Sequence, residues 1–121
     1  MSPADAAIAC LDAFTARFNA RDAAGMDATL HFPHVILADE HLVVWKAPGR
    51  IAPNYFEELA ATGWARSTYH GRQVVLAGET KVHLLVDYSR DRADGSQISR
   101  HQNVWIVTLQ DGRWGVKLRS Y

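Results

Sequence analysis

The sequence predicts an α+β fold, helices first and an antiparallel sheet after them, on three observations. In the first half, apolar residues recur at helical spacing in separate stretches. From Trp64 onward the chain reads as strand. Two Asp-Gly pairs, Asp94-Gly95 and Asp111-Gly112, divide that second half where tight hairpin turns need residues tolerant of positive φ.

Ser2-Pro3-Ala4-Asp5 is a helix start: Ser2 caps, Pro3 takes the first position where its missing N–H costs nothing, and Asp5 lies near the positive helix end. This helix is expected to reach about Ala20, with Ile8, Leu11, Phe14 and Phe18 as its apolar stripe and Cys10 as a small packing residue beside it. Asp22 caps a second, shorter helix that carries Met26 and Leu30 and is ended by Pro33. Val35 to Leu37 and Leu42 to Trp45 form a short β pair with Ala38-Asp39-Glu40-His41 as its turn, and Pro48-Gly49 breaks it. Ile51, Tyr55, Phe56 and Leu59 describe a third helix, with Pro53 in its first turn and Gly63 as its stop. The run from Ala65 to Ala77 has two possible facings, because Val74 and Leu76 argue for one parity and Tyr69 and Val75 for the other; Gly71 is a candidate bulge.

The two turns fix the register of the rest. A two-residue loop at Asp111-Gly112 pairs Leu109 with Trp114, Val107 with Val116, Trp105 with Leu118 and Asn103 with Ser120. A two-residue loop at Asp94-Gly95 pairs Val82 with Val107, Leu84 with Trp105, Val86 with Asn103 and Tyr88 with His101. Both turns send the same residues inward. That inward face grades from Trp114, Leu109, Val107 and Val82 to Tyr88, His101, Asn103 and Ser120, an apolar interior ending in a polar mouth.

Length and composition bound the function. The 121 residues make one domain, 1–121, and 48% hydrophobic content with four each of Phe, Trp and Tyr suffices for a core. Thirteen basic and thirteen acidic residues cancel, which argues against nucleic acid and against an anionic membrane surface as partners. One cysteine excludes an intrachain disulfide, and no apolar run is long enough for a signal peptide or membrane span, so a cytoplasmic protein is expected.

The whole order, from the leading helices through His34-Val35-Ile36-Leu37 to the closing Asp111-Gly112-Arg113-Trp114-Gly115-Val116 hairpin, resembles the nuclear transport factor 2-like superfamily, and within it the SnoaL-like, steroid-isomerase-like branch. The resemblance implies a cone-shaped curved antiparallel sheet wrapped around three N-terminal helices, an internal cavity, and a homodimer formed through the outer sheet face. It does not imply one activity, because members range from isomerases and dehydratases to plain binding modules.

The same resemblance places Asp39, at the end of the first strand, where that branch carries a general-base Asp; a turn-forming role is the alternative. The branch's oxyanion hole, a helix Tyr and a protonated strand Asp, has no counterpart, since Phe14, Phe18 and Val104 or Trp105 stand nearby. Tyr88 and His101, placed opposite each other by both turns, are the candidate acid and base, or else a cross-strand pair that satisfies its own hydrogen bonds. Asn103, Ser120, Tyr69 and Trp105 are the expected ligand contacts, and Arg90, one step beyond Tyr88, could meet a carboxylate at the mouth. Pro33 separates His31 from His34 and no further ligand set follows, so neither metal nor cofactor is expected. Two functions follow from these residues. One is cofactor-free acid-base chemistry (isomerisation, cyclisation or dehydration) on a small hydrophobic carbonyl compound. The other is a non-catalytic binding or dimerisation module with a small pocket, which large inward aromatics such as Trp105 and Trp114 favour.

Overall fold

The computed structural model describes the chain from Met1 to Tyr121. The first helix, α1 (Pro3–Asn19), starts where its cap predicts: the Asp5 N–H donates to Ser2 Oγ at 3.1 Å and the Ser2 N–H donates back to Asp5 Oδ2 at 3.4 Å. Its buried face is Ala7, Cys10, Leu11 and Phe14. A single turn, α2 (Ala23–Asp27), is capped by Asp22 Oδ1, which accepts the Gly25 N–H at 2.9 Å. Leu30 does not belong to that helix. It opens β1 (Leu30–Ala38), which runs through Pro33 and is longer than the Val35 to Leu37 core of its sequence signal. Pro33 is tolerated because the sheet's register is interrupted between Leu30 and Val35, so no ladder hydrogen bond is asked of it.

Next come β2 (His41–Trp45), α3 (Tyr55–Ala61), β3 (Arg66–Ala77), β4 (Lys81–Asp91), β5 (Gln97–Gln110) and β6 (Arg113–Ser120). The third helix begins after Pro53 and leaves Ile51 in the preceding loop. The six strands form one open, curved sheet in the order β2-β1-β6-β5-β4-β3. All neighbours are antiparallel except β1 and β6, which run parallel and join the two halves of the chain. Helix α1 lies across the concave face, and the core is where its stripe meets Val82, Leu84, Val86, Trp105, Val107 and Val116. Trp105 meets Phe14 edge to face at 5.0 Å, a geometry that adds about 0.5–1.5 kcal/mol to area burial.

Register follows the turns, with two instructive departures. Asp111 (φ 54°) and Gly112 (φ 75°) form the two-residue turn, and Leu109 faces Trp114 and Val107 faces Val116 as expected. Tyr88 faces His101, Val86 faces Asn103 and Leu84 faces Trp105, also as expected. There, however, the loop has three residues, because the Arg92 N–H donates to the Ser96 carbonyl. An extra residue at Ile98 restores the register before Arg90 meets Ser99.

The second departure is not compensated. Between Val107/Val116 and Ile106/Leu118 the β6 strand carries one additional residue, Lys117, and every pairing beyond it shifts by one. Trp105 therefore faces Arg119 rather than Leu118, and Ser120 pairs with Val104 rather than Asn103. In β3 the ambiguity of facing resolves through bulges: Tyr69 faces Tyr88, His70 is the extra residue, and Val74 then faces Leu84. Val75 is a second extra residue, so Ala77 faces Val82 and the inward parity changes twice along the strand.

Candidate functional site

At the open end of the cone lies a cavity of about 60 Å³. Phe14, Thr15 and Phe18 of α1 form one side and Tyr55 of α3 another. Ser67, Thr68 and Tyr69 of β3, Tyr88 and Arg90 of β4, Trp105 of β5, Arg119 of β6 and Tyr121 complete the wall. Each element delivers its residue for a local reason. Tyr88 and Arg90 come from alternate positions of one strand, and Trp105 is brought beneath them by the β4–β5 register. Arg119 enters because of the Lys117 bulge.

Arg119 is 8% exposed, a charged side chain held inside the cone. Its Nε donates to His34 Nε2 at 3.0 Å, and its guanidinium stands 5.4 Å from the Phe14 ring centroid, 5.7 Å from Trp45 and 5.8 Å from Trp105. Cation–π attraction to these faces offsets part of its desolvation. The His34 Nδ1 lies 3.0 Å from the Val116 carbonyl, so Nδ1 carries the proton and Nε2 is the acceptor. Burial, reinforced by the Arg119 charge, lowers the His34 pKa to about 4. Arg90 also lines the cavity; its Nε is buried without a hydrogen-bond partner, and so is Trp105 Nε1. Neither arginine has a carboxylate partner: the ion pairs of the chain are Arg17 with Asp22, Arg72 with Asp12 and Arg100 with Asp87. No Asp, Glu or His is among the lining residues.

Of the residues singled out from sequence, Tyr88, Tyr69, Arg90 and Trp105 line this cavity. The Tyr69 hydroxyl donates to the Leu11 carbonyl at 3.1 Å, and burial pushes its phenol up to about 12. Burial likewise raises the Tyr88 phenol. His101 stacks on Tyr88 with centroids 5.0 Å apart and 26° between planes, and its Nε2 pairs with Ser99 Oγ at 2.8 Å. It stands behind Tyr88, outside the lining, and its pKa is lowered by burial and then by Arg90. Asn103 is buried opposite Val86, between the levels of Tyr88 and Trp105, beside Tyr88 but not among the lining residues. Ser120 leaves the inward face through the β6 bulge. Asp39 occupies the exposed turn between β1 and β2 with φ 51°. Its N–H reaches the Tyr121 carbonyl at 3.4 Å, so the turn borders the mouth while the carboxylate lies outside the lining.

His31 and His34 are both engaged within the protein. The His31 Nε2 bonds the Arg113 carbonyl at 2.8 Å and its Nδ1 accepts from Arg113 at 3.2 Å. No group of three His, Cys, Asp or Glu gathers at metal-binding distance. Sequence reasoning missed Arg119 and Tyr121 at the cavity. It also missed a buried polar network on the opposite side of β4. There Ser89 Oγ donates to Asp91 Oδ1 at 2.8 Å and bonds His70 Nε2 at 2.7 Å, while Thr68 Oγ1 donates to Asp91 Oδ2 at 2.7 Å. Ser89 is 1% exposed with its proton committed to Asp91, an arrangement that ties β3 to β4 and does not make a nucleophile.

No protein-family model matches the chain, and no curated protein does. Solved structures do match. An NTF-2-like protein of unknown function from Shewanella oneidensis superposes with a TM-score of 0.70 at 12% identity, over 98% of this chain and 97% of the other. An NTF2-like protein with a cystatin-like fold from Novosphingobium aromaticivorans gives 0.70 at 12% identity, over 98% and 79%. A putative ketosteroid isomerase from Shewanella frigidimarina gives 0.65 at 15% identity, over 95% and 93%. The chain has the nuclear transport factor 2-like fold, shared with ketosteroid-isomerase-like proteins. At these identities the agreement is one of fold alone. No helix is long and apolar enough to cross a membrane.

Proposed function

We propose that the chain is a small-molecule-binding domain whose ligand enters the open end of the cone, presents a carbonyl group to Tyr88 and its neighbours, and is not chemically changed there. One observation carries this reading: the cavity wall offers hydrogen-bond donors and aromatic faces but no carboxylate or imidazole. Acid-base catalysis near neutrality needs a group that takes up a proton there. Tyr69 and Tyr88 are pushed up by burial, which suits them to donate and not to accept. His34 Nε2 is occupied by Arg119, and His101 stands behind the Tyr88 ring. The single unpaired Cys10 agrees with a reducing, cytoplasmic setting.

Small ketones and carboxylates with exchangeable α-protons, incubated with the full chain in D₂O, test the reading. Binding seen as perturbed Tyr88 and Trp105 resonances, without deuterium entering the α-position, is the expected result. Protein-dependent deuterium incorporation would replace it with acid-base chemistry of the isomerase, cyclase or dehydratase kind. Unperturbed Tyr88 and Trp105 resonances would remove the cavity as a binding site.

A further inference from the structure

Resting on that binding reading, we propose that the cavity is an anion site for a short-chain monocarboxylate, its carboxylate facing Arg90 and Arg119 and its carbon chain against Phe14 and Phe18. Charge comes first. Two guanidinium groups line one cavity, no acidic side chain lines it, and no ion pair neutralises either. In a chain of formal net charge zero this concentrates uncompensated positive charge at one half-open cavity. A buried cation without a counter-charge is costly, and a bound anion relieves that cost.

Hydrogen bonding points the same way. Arg90 Nε and Trp105 Nε1 are buried donors without partners, and both belong to cavity-lining residues; Trp105 is 4% exposed. Orphaned buried donors are uncommon in folded proteins and cost about 1–3 kcal/mol each. A carboxylate has two oxygens and about four lone-pair sites with which to satisfy donors on several sides. The remaining wall is aromatic, which suits a ligand with one charged end and an apolar remainder. Inorganic phosphate would leave Phe14 and Phe18 against a fully polar ion.

Size points to a short chain. The cavity is small, about 60 Å³, and opens outward, so it seats a carboxylate and its nearest carbons while a long or polycyclic ligand would stand largely outside it.

Titration of the full chain with propionate, propionamide, pivalate and inorganic phosphate tests this, with Trp fluorescence and NMR of Trp105 as readouts. Propionate is expected to bind at least about ten-fold more tightly than propionamide, the ratio for hydrogen bonds to a charged group. Arg90→Gln is expected to remove that preference at an unfolding temperature no lower than the parent's, because Arg90 Nε has no internal partner to lose and its removal relieves an unpaired donor. Propionamide binding as well as propionate overturns the anion site and leaves the neutral-carbonyl pocket standing. Phosphate binding as tightly as propionate overturns the carboxylate assignment, and pivalate doing so overturns the size limit. No perturbation by any of the four overturns both this inference and the binding reading beneath it.

Discussion

Arg119 Nε donates to His34 Nε2 at 3.0 Å, and the two rise or fall together. The imidazole can accept only while neutral. Protonation would place an N–H against an N–H and a second positive charge beside the first.

Acidification should therefore destabilise the fold. His34 has its pKa lowered from 6.5 to about 4 by burial and by Arg119, so below pH 6.5 the unfolded chain binds a proton that the folded chain refuses. Stability from this group is complete above about 6.5, is lost as pH falls, and stops changing below about 4. The full loss amounts to about 3 kcal/mol for a side chain with no exposed surface. Denaturant unfolding between pH 7 and pH 4 measures it. His34→Gln, which cannot titrate, should flatten the curve over that window, and an unflattened curve would assign the effect elsewhere.

Trp105→Ala should destabilise by about 3–5 kcal/mol, the range for truncating a buried large aromatic. The indole touches both the α1 stripe through Phe14 and the Arg119 guanidinium. Chemical denaturation with a loss below about 1 kcal/mol would contradict its place in the core.

Gly115→Ala should cost about 1–3 kcal/mol by overpacking. An added Cβ would lie 2.7 Å from His31 Cδ2, and that ring is fixed from both nitrogens by Arg113. A thermal melt unchanged from the parent would mean that His31 moves freely. His31 thus covers Gly115 on the sheet face turned away from the core.

A homodimer through the outer sheet face is the expected assembly. Leu85 and Val104 pair across β4 and β5 and are 37% and 36% exposed, a flat apolar pair facing away from the cavity. Light scattering at micromolar protein should give twice the chain mass. Leu85→Lys should give a folded monomer by the same measurement. A parent protein that is monomeric removes the proposal.

The sheet was legible because its evidence is local. Asp94-Gly95 and Asp111-Gly112 are turn signals that need no knowledge of the rest, and alternation then carries the register to Tyr88 and His101. Even there the agreement hides a three-residue loop cancelled by Ile98, which no short-range pattern reveals. Leu30 sits at helical spacing from Met26, yet the parallel ladder with β6 claims it, a partnership with Val116 that sequence cannot foretell. The cavity was half legible for the same reason. Tyr88, Arg90 and Trp105 lie before any uncorrected bulge, and Arg119 lies after one. Asp39 matched a family position by counting, but its left-handed backbone belongs to the turn.

Lys117 lets the last strand carry one residue more than its partner without changing which side chains meet. Losing its codon would close the bulge and leave Val107 with Val116, Ile106 with Leu118 and Trp105 with Arg119, so the arginine would stay inside the cone. In a relative of this fold whose last strand has no bulge, the counterpart of Arg119 stands two positions, not three, after the counterpart of Val116. An alignment that places no gap at Lys117 will therefore match an arginine inside the cone to a residue outside it.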